Sequence, residues 1–223
     1  QDNPGQDNPG SDTPSTGETS NVEIKKSDLT AAQAAVTGTT YIGSNQTITV
    51  SGIKITLAAS NFGFVNANND PAFSSLGAMQ TKANATTVIK LEANGITKVV
   101  VTILTTYDST EVFSLFDSSN KAITGTVGER VDTGVKKTVT SNNTTTEYAV
   151  YKYEVTYSIP AGTTSVTFNG AAHAVYFNSI VVTPIVFPHT TSSIIESPII
   201  AIWSKVNPFR FIPCFNNSLP YVL

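Results

Sequence analysis

Ile96-Thr-Lys-Val-Val-Val-Thr-Ile-Leu-Thr-Thr106, then Tyr107-Asp-Ser-Thr110, then Glu111-Val-Phe-Ser-Leu-Phe-Asp117: this stretch decides the fold class. The first run is almost entirely β-branched, and such side chains lose little χ1 freedom on a pleated surface. Asp108 and Ser109 are turn residues, because their short side chains bond nearby backbone. In the second run Val112, Ser114 and Phe116 alternate with Phe113, Leu115 and Asp117. The two runs are expected to form an antiparallel hairpin around which the domain packs.

Outward from this centre, strands recur with turn punctuation. Residues 147–159 alternate cleanly: Tyr151, Tyr153, Val155, Tyr157 and Ile159 share one face, Val150, Lys152, Glu154 and Thr156 the other. Ser141-Asn-Asn-Thr joins this run to a strand over 136–140. Further strands are expected over 22–26, 40–42, 46–50, 53–58, 78–82, 87–92, 122–124, 165–168 and 174–183. Residues 66–73 and 125–134 read as loops. Ser27-Asp28 opens an alanine-rich run over 29–36 that ends before Gly38, which predicts one short helix. The expected fold is therefore an all-β antiparallel β-sandwich of jelly-roll type, with one short N-terminal helix.

The chain of 223 residues carries 13% charged residues and a net charge of −3, so its polar faces are built from Thr, Ser and Asn. No basic stripe suits a nucleic acid. No apolar run reaches the length of a membrane span. The single cysteine, Cys214, excludes an intramolecular disulfide. Residues 1–20 repeat Gln-Asp-Asn-Pro-Gly and hold no large apolar side chain, so they read as a Pro-spaced linker with nothing to bury. Residues 21–183 form the sandwich domain. Residues 184–223 lose alternation and cluster Pro, Ile and Phe, and read as an apolar tail foreign to the fold; Trp203 and Cys214 fall within it.

No G-x-S-x-G, H-E-x-x-H or zinc-ligand spacing occurs, and no spacing selects two of the carboxylates as an acid–base pair. Gly38 to Ser44 matches the spacing of a phosphate loop but lacks its lysine. Asp117 with Asn120, or Asp70 with Asn68, could lend oxygens to calcium, yet surface turns use the same residues. No metal and no cofactor is assigned.

Several stretches resemble the non-catalytic β-sandwich domains appended to secreted bacterial pectate lyases and related polysaccharide-degrading enzymes. They are Thr-Ile-Thr-Val-Ser-Gly-Ile-Lys-Ile-Thr-Leu over 47–57, Tyr107-Asp-Ser-Thr, Phe113-Ser-Leu-Phe-Asp-Ser-Ser-Asn-Lys-Ala, Pro160-Ala-Gly-Thr-Thr-Ser-Val-Thr-Phe, and Tyr176-Phe-Asn-Ser-Ile-Val-Val-Thr. The similarity spans about residues 40–183 and holds no catalytic signature. It implies an extracellular or cell-surface bacterial module that binds plant cell-wall polysaccharide beside a catalytic module in the same parent chain. A structural or adhesive spacer without glycan binding is the alternative.

Sugar binding needs flat aromatic faces with amide or carboxylate groups nearby. The Tyr151, Tyr153 and Tyr157 stripe is assigned to the core, where aromatic residues at period two ordinarily point. The expected ligand residues are Tyr107 and Asp108 at the hairpin tip, with His173, Tyr176 and Asn178 on and before the last strand.

Overall fold

Two antiparallel sheets enclose one apolar core. The computed structural model describes residues 20–38, 40–108, 110 and 112–185. All of the expected linker but its last residue, and the expected tail beyond Ile185 with Trp203 and Cys214, lie outside these.

The chain enters as strand β1 (Val22–Lys25), then turns through a 3₁₀ segment (Lys26–Leu29) into a single turn of helix, α1 (Thr30–Gln33). The expected two-turn helix over 29–36 is thus shared between two helix types and ends early, because Val36 leaves it to bridge Ile42. The expected strand over 40–42 is reduced to that bridge and one between Tyr41 and Gly63. Next come β2 (Gln46–Val50), β3 (Ile53–Leu57), β4 (Phe62–Phe64) and, after the helix α2 (Pro71–Ser75), β5 (Met79–Thr81). Strands β6 (Ile89–Glu92), β7 (Ile96–Thr105), β8 (Ser114–Asp117), β9 (Ala122–Ile123) and β10 (Gly125–Val127) follow. The last four are β11 (Val131–Ser141), β12 (Thr144–Ser158), β13 (Ser165–Asn169) and β14 (Tyr176–Pro184).

One sheet has eight strands. Its main path is β10-β12-β7-β14-β5-β4, with β1 alongside β14 and β11 alongside β12. The other has six, in the order β2-β3-β6-β13-β8-β9. The alternation expected for β12 holds. Val99, Val101, Ile103, Tyr153, Val155, Tyr157, Phe177, Ile180 and Val182 are buried and face Ile55, Leu91, Leu115, Val166 and Phe168 of the second sheet in one cluster. Edge-to-face aromatic pairs span it: Phe113 meets Phe168 at 5.5 Å and Phe177 at 5.4 Å between ring centroids. Among the described residues no helix is long and apolar enough to cross a membrane.

The expected hairpin over 96–117 does not form. Strand β7 pairs with β12 and β14 in the large sheet, whereas β8 pairs with β13 and β9 in the small one. Tyr107 lies in the link that arches from one sheet to the other. The cause is burial. Phe113 and Leu115 reach the core from the side opposite Val101 and Ile103, which a hairpin within one sheet would forbid. Two-residue hairpin turns instead close β2–β3, at Ser51 and Gly52 with φ of 45° and 83°, and β11–β12, at Asn142 and Asn143 with φ of 50° and 59°. Positive φ at both central residues is the two-residue turn whose twist matches the strands. The segment 125–134, expected as a loop, holds β10 and the start of β11.

The second expected loop, 66–73, is also partly ordered. Asp70 caps α2, its Oδ1 accepting the Phe73 N–H at 3.1 Å, and Pro71 takes the first helical position. A missing N–H costs nothing there. This short helix lies on the outer face of the eight-stranded sheet. It shields a second apolar cluster of Val65, Ala72, Phe73, Ala78, Leu104 and Val150, with Leu76, Val135 and Tyr176 at its margin.

Candidate functional site

Two depressions open on the outer face of the large sheet. The first is a cleft of about 230 Å³ whose walls include Phe73, Tyr107, Lys137, His173 and Tyr176. Sheet register assembles it. Tyr176 sits opposite Leu104 of β7 and Gln80 of β5, so its ring stands on the outer face. Helix α2 then lays Phe73 against it, with ring centroids 4.4 Å apart and planes 15° from parallel. Lys137 of β11 reaches over the edge of α2. Its Nζ pairs with Asp70 Oδ2 at 2.6 Å and lies 5.2 Å from the Phe73 ring centre. One carboxylate, Asp70, therefore caps the helix and holds the ammonium at the cleft.

Tyr107 forms the open wall. Its backbone N–H is held by Thr105 Oγ1 at 3.0 Å, and its ring is 69% exposed. An exposed ring beside a half-buried one is a surface to which the apolar face of a sugar can be applied. Burial raises the Tyr176 phenol above its ordinary value; the Lys137 ammonium offsets part of this, while Asp70 and Tyr107 add to it. Tyr176 is thus a neutral hydroxyl donor and acceptor across the physiological range.

Of the five residues expected from sequence, Tyr107, His173 and Tyr176 meet in this cleft. Asp108 does not line it. Its carboxylate extends into solvent and pairs at 2.8 Å with Arg130, whose guanidinium lies 3.7 Å over the Tyr151 ring. Tyr151 serves as a platform for arginine, while Tyr153 and Tyr157 lie in the core as expected. Phe73 and Lys137 were not expected at the cleft. The Asp70-Pro71 pair is the cap-and-first-turn signal that could have placed Phe73 on a helix.

Asn178 belongs to the second depression, a groove of about 790 Å³. It is the extra residue of a β-bulge, since β14 pairs Phe177 with Ile103 and then Ser179 with Thr102. Bulges re-aim side chains. Here the bulge brings Asn178 and Ser179 both to the groove, while Tyr176 stays at the cleft. Asn178 Oδ1 is buried and accepts no hydrogen bond from the described residues. Beside it Ser179 Oγ donates to Thr102 Oγ1 at 3.1 Å. The floor is a cross-strand row in register: Lys25 opposite Ser179, Ser179 opposite Thr102, Thr102 opposite Glu154.

The carboxylates considered for calcium are engaged within the protein. Asp117 Oδ1 accepts the N–H groups of Ser119 and Lys121, both at 2.9 Å, and Asp70 is committed as above. Among the described residues no three His, Cys, Asp or Glu side chains come together as a metal site. Neither a protein-family model nor a curated protein matches the sequence.

Proposed function

We propose that the domain is a non-catalytic carbohydrate-binding module. In this reading it is an extracellular accessory to a polysaccharide-degrading enzyme and holds a catalytic module of the same parent chain against plant cell-wall polysaccharide. Tethering of this kind raises local concentration without any chemistry by the module itself. The observation that carries the reading is the exposed Tyr107 ring, set beside the Phe73–Tyr176 stack with His173 and Lys137 on one cleft. The stacked Phe73 and Tyr176 rings are already ordered, so binding against them costs little side-chain entropy.

The same proposal takes the two sheets as a jelly roll. Strand order supports it: leaving aside β2–β5, β10 and β11 as additions, the large sheet runs β1-β14-β7-β12 and the small one β6-β13-β8-β9. The first and last strands are neighbours, and the chain crosses between sheets from β6 to β7 to β8 and from β12 to β13 to β14, as two interlocked Greek keys require.

Affinity electrophoresis of the full chain against homogalacturonan, xylan, mannan and β-glucan tests the binding. Retardation by at least one polysaccharide is expected, lost in Tyr107→Ala without a change in melting temperature. Free migration in all of them would overturn the reading and leave a spacer domain in its place.

A further inference from the structure

Arg130 lines neither depression, yet the residue it holds is the neighbour of Tyr107. Register sets its place. Tyr151 lies opposite Asp132 of β11 on one side and Thr105 of β7 on the other. Arg130 comes two residues before Asp132, so it sits diagonally from Tyr151 on the same face. Its guanidinium rests 3.7 Å over the Tyr151 ring and donates to Asp108 Oδ1 at 2.8 Å. We infer that Arg130 is a positioning residue for sugar binding: stacked on Tyr151, it holds Asp108 and thereby fixes the link that presents the Tyr107 ring to the cleft. The inference rests on the glycan-binding reading and adds to it the residues that order the open wall.

Tyr107 needs such a device. Its ring is 69% exposed and stands outside the Phe73–Tyr176 stack, so side-chain packing does little to order it. Order has to come through the backbone on either side. Before the ring, the Tyr107 N–H is held by Thr105 Oγ1 at 3.0 Å. At the far end of the link, Phe113 is buried and its carbonyl accepts the Tyr157 hydroxyl. Asp108, the residue directly after Tyr107, supplies a tie between those two ends. A segment pinned only at its ends keeps freedom in its middle, and ordering it on binding costs affinity.

The asymmetry of the pair makes it a latch. The Asp108 side chain is fully exposed, whereas that of Arg130 is 23% exposed. When both partners are free in solvent, both lose rotamer freedom on pairing, and the pair contributes little. Here Arg130 is already ordered by the face of Tyr151, and its planar guanidinium suits both the stack and the carboxylate. Its Nε–H is buried and meets no acceptor among the described residues. The guanidinium is thus placed by the ring and by Asp108, not by hydrogen bonds to the body of the fold. The chain just before Arg130 is tied down in turn, the Gly128 N–H donating to the Glu154 carbonyl at 2.7 Å. Such a pair adds little to global stability and still constrains the short segment that it touches.

The test joins binding to backbone dynamics. It uses the full chain, unaltered and as Asp108→Ala, Asp108→Glu, Arg130→Ala and the double variant of the two alanine changes. Calorimetric titration with xylohexaose, mannohexaose, cellohexaose and hexagalacturonate reads affinity. NMR relaxation of the Tyr107 amide, without sugar, reads order. For a hexaose that binds, Asp108→Ala and Arg130→Ala should each lower affinity about three- to tenfold, the cost of ordering a side chain with its segment. The double variant should lose no more than either single one, because both changes remove the same pair. Asp108→Glu keeps the carboxylate and should recover most of the affinity. The Tyr107 amide should be more mobile in both alanine variants, while the melting temperature of Asp108→Ala stays unchanged. Affinity and Tyr107 order that both survive Asp108→Ala would overturn the latch and leave the glycan-binding reading standing. So would losses that add in the double variant, since they would make Asp108 a contact of the sugar in its own right. No binding of any hexaose by the unaltered protein would overturn the glycan-binding reading and the positioning role together.

Discussion

The Tyr157 hydroxyl donates to the Phe113 carbonyl at 3.0 Å, joining the large sheet to the link that delivers the chain into the small one. Both side chains are buried, and Phe168 lies edge-on to each. Burial raises the Tyr157 phenol far above its ordinary value, so it stays a protonated donor. Tyr157→Phe keeps the ring and leaves the Phe113 carbonyl without this donor. The expected cost is about 1–3 kcal/mol, read as a lower urea midpoint with an unchanged slope.

Asp70 has two duties that two substitutions separate. Asp70→Asn keeps a good helix cap and removes the charge opposite Lys137; Asp70→Ala removes both. The alanine variant should be less stable than the asparagine variant by about 1 kcal/mol, the worth of a cap. Equal stability of the two would show that α2 does not depend on its cap.

Glu92 accepts from Lys54 across the strand pair at 2.9 Å and from Lys90 at 3.0 Å. These contacts, Lys54 first, hold its carboxyl below the ordinary value of 4.5. A depressed carboxylate stabilises the fold above its unfolded pKa, and that contribution disappears as pH falls through the folded value. Glu92→Gln should therefore lower the melting temperature near neutral pH by a small amount, as expected of a surface pair. The gap between the two proteins should close in acid below pH 4.5. A gap that persists there would assign the effect to packing.

At the β11–β12 turn, Asn143 holds φ at 59°. Asn143→Gly suits that conformation and should give a small gain, on the order of a few tenths of a kcal/mol. Asn143→Val should cost about 1–2 kcal/mol, because a β-branched side chain meets the carbonyl in the left-handed region. Thermal melts of the pair check both signs.

The period-two pattern made strand interiors legible. It placed Tyr153, Val155 and Tyr157 in the core, and Ser141-Asn-Asn-Thr marked the tight turn between β11 and β12. Partnership was not legible. Alternation says which face of a strand is buried and nothing about which sheet it joins, so β7 and β8 read as neighbours when they face each other across the core. Helix α2 has five residues, too few for a helical period, and only Asp70-Pro71 announces it. Tyr107, His173 and Tyr176 were each visible as candidates, but their meeting depends on the pairing of Tyr176 with Leu104. The parting of Asn178 from them depends on a one-residue bulge, which leaves no mark on the pattern.

The pairing of β1 with β14 sets Val22 opposite Val182, so the first and last strands of the described residues present their outer ends side by side. Tension applied through those ends would pull the two strands apart crosswise and break their hydrogen bonds one at a time. Shear would have to break them together. Such an arrangement yields at low force.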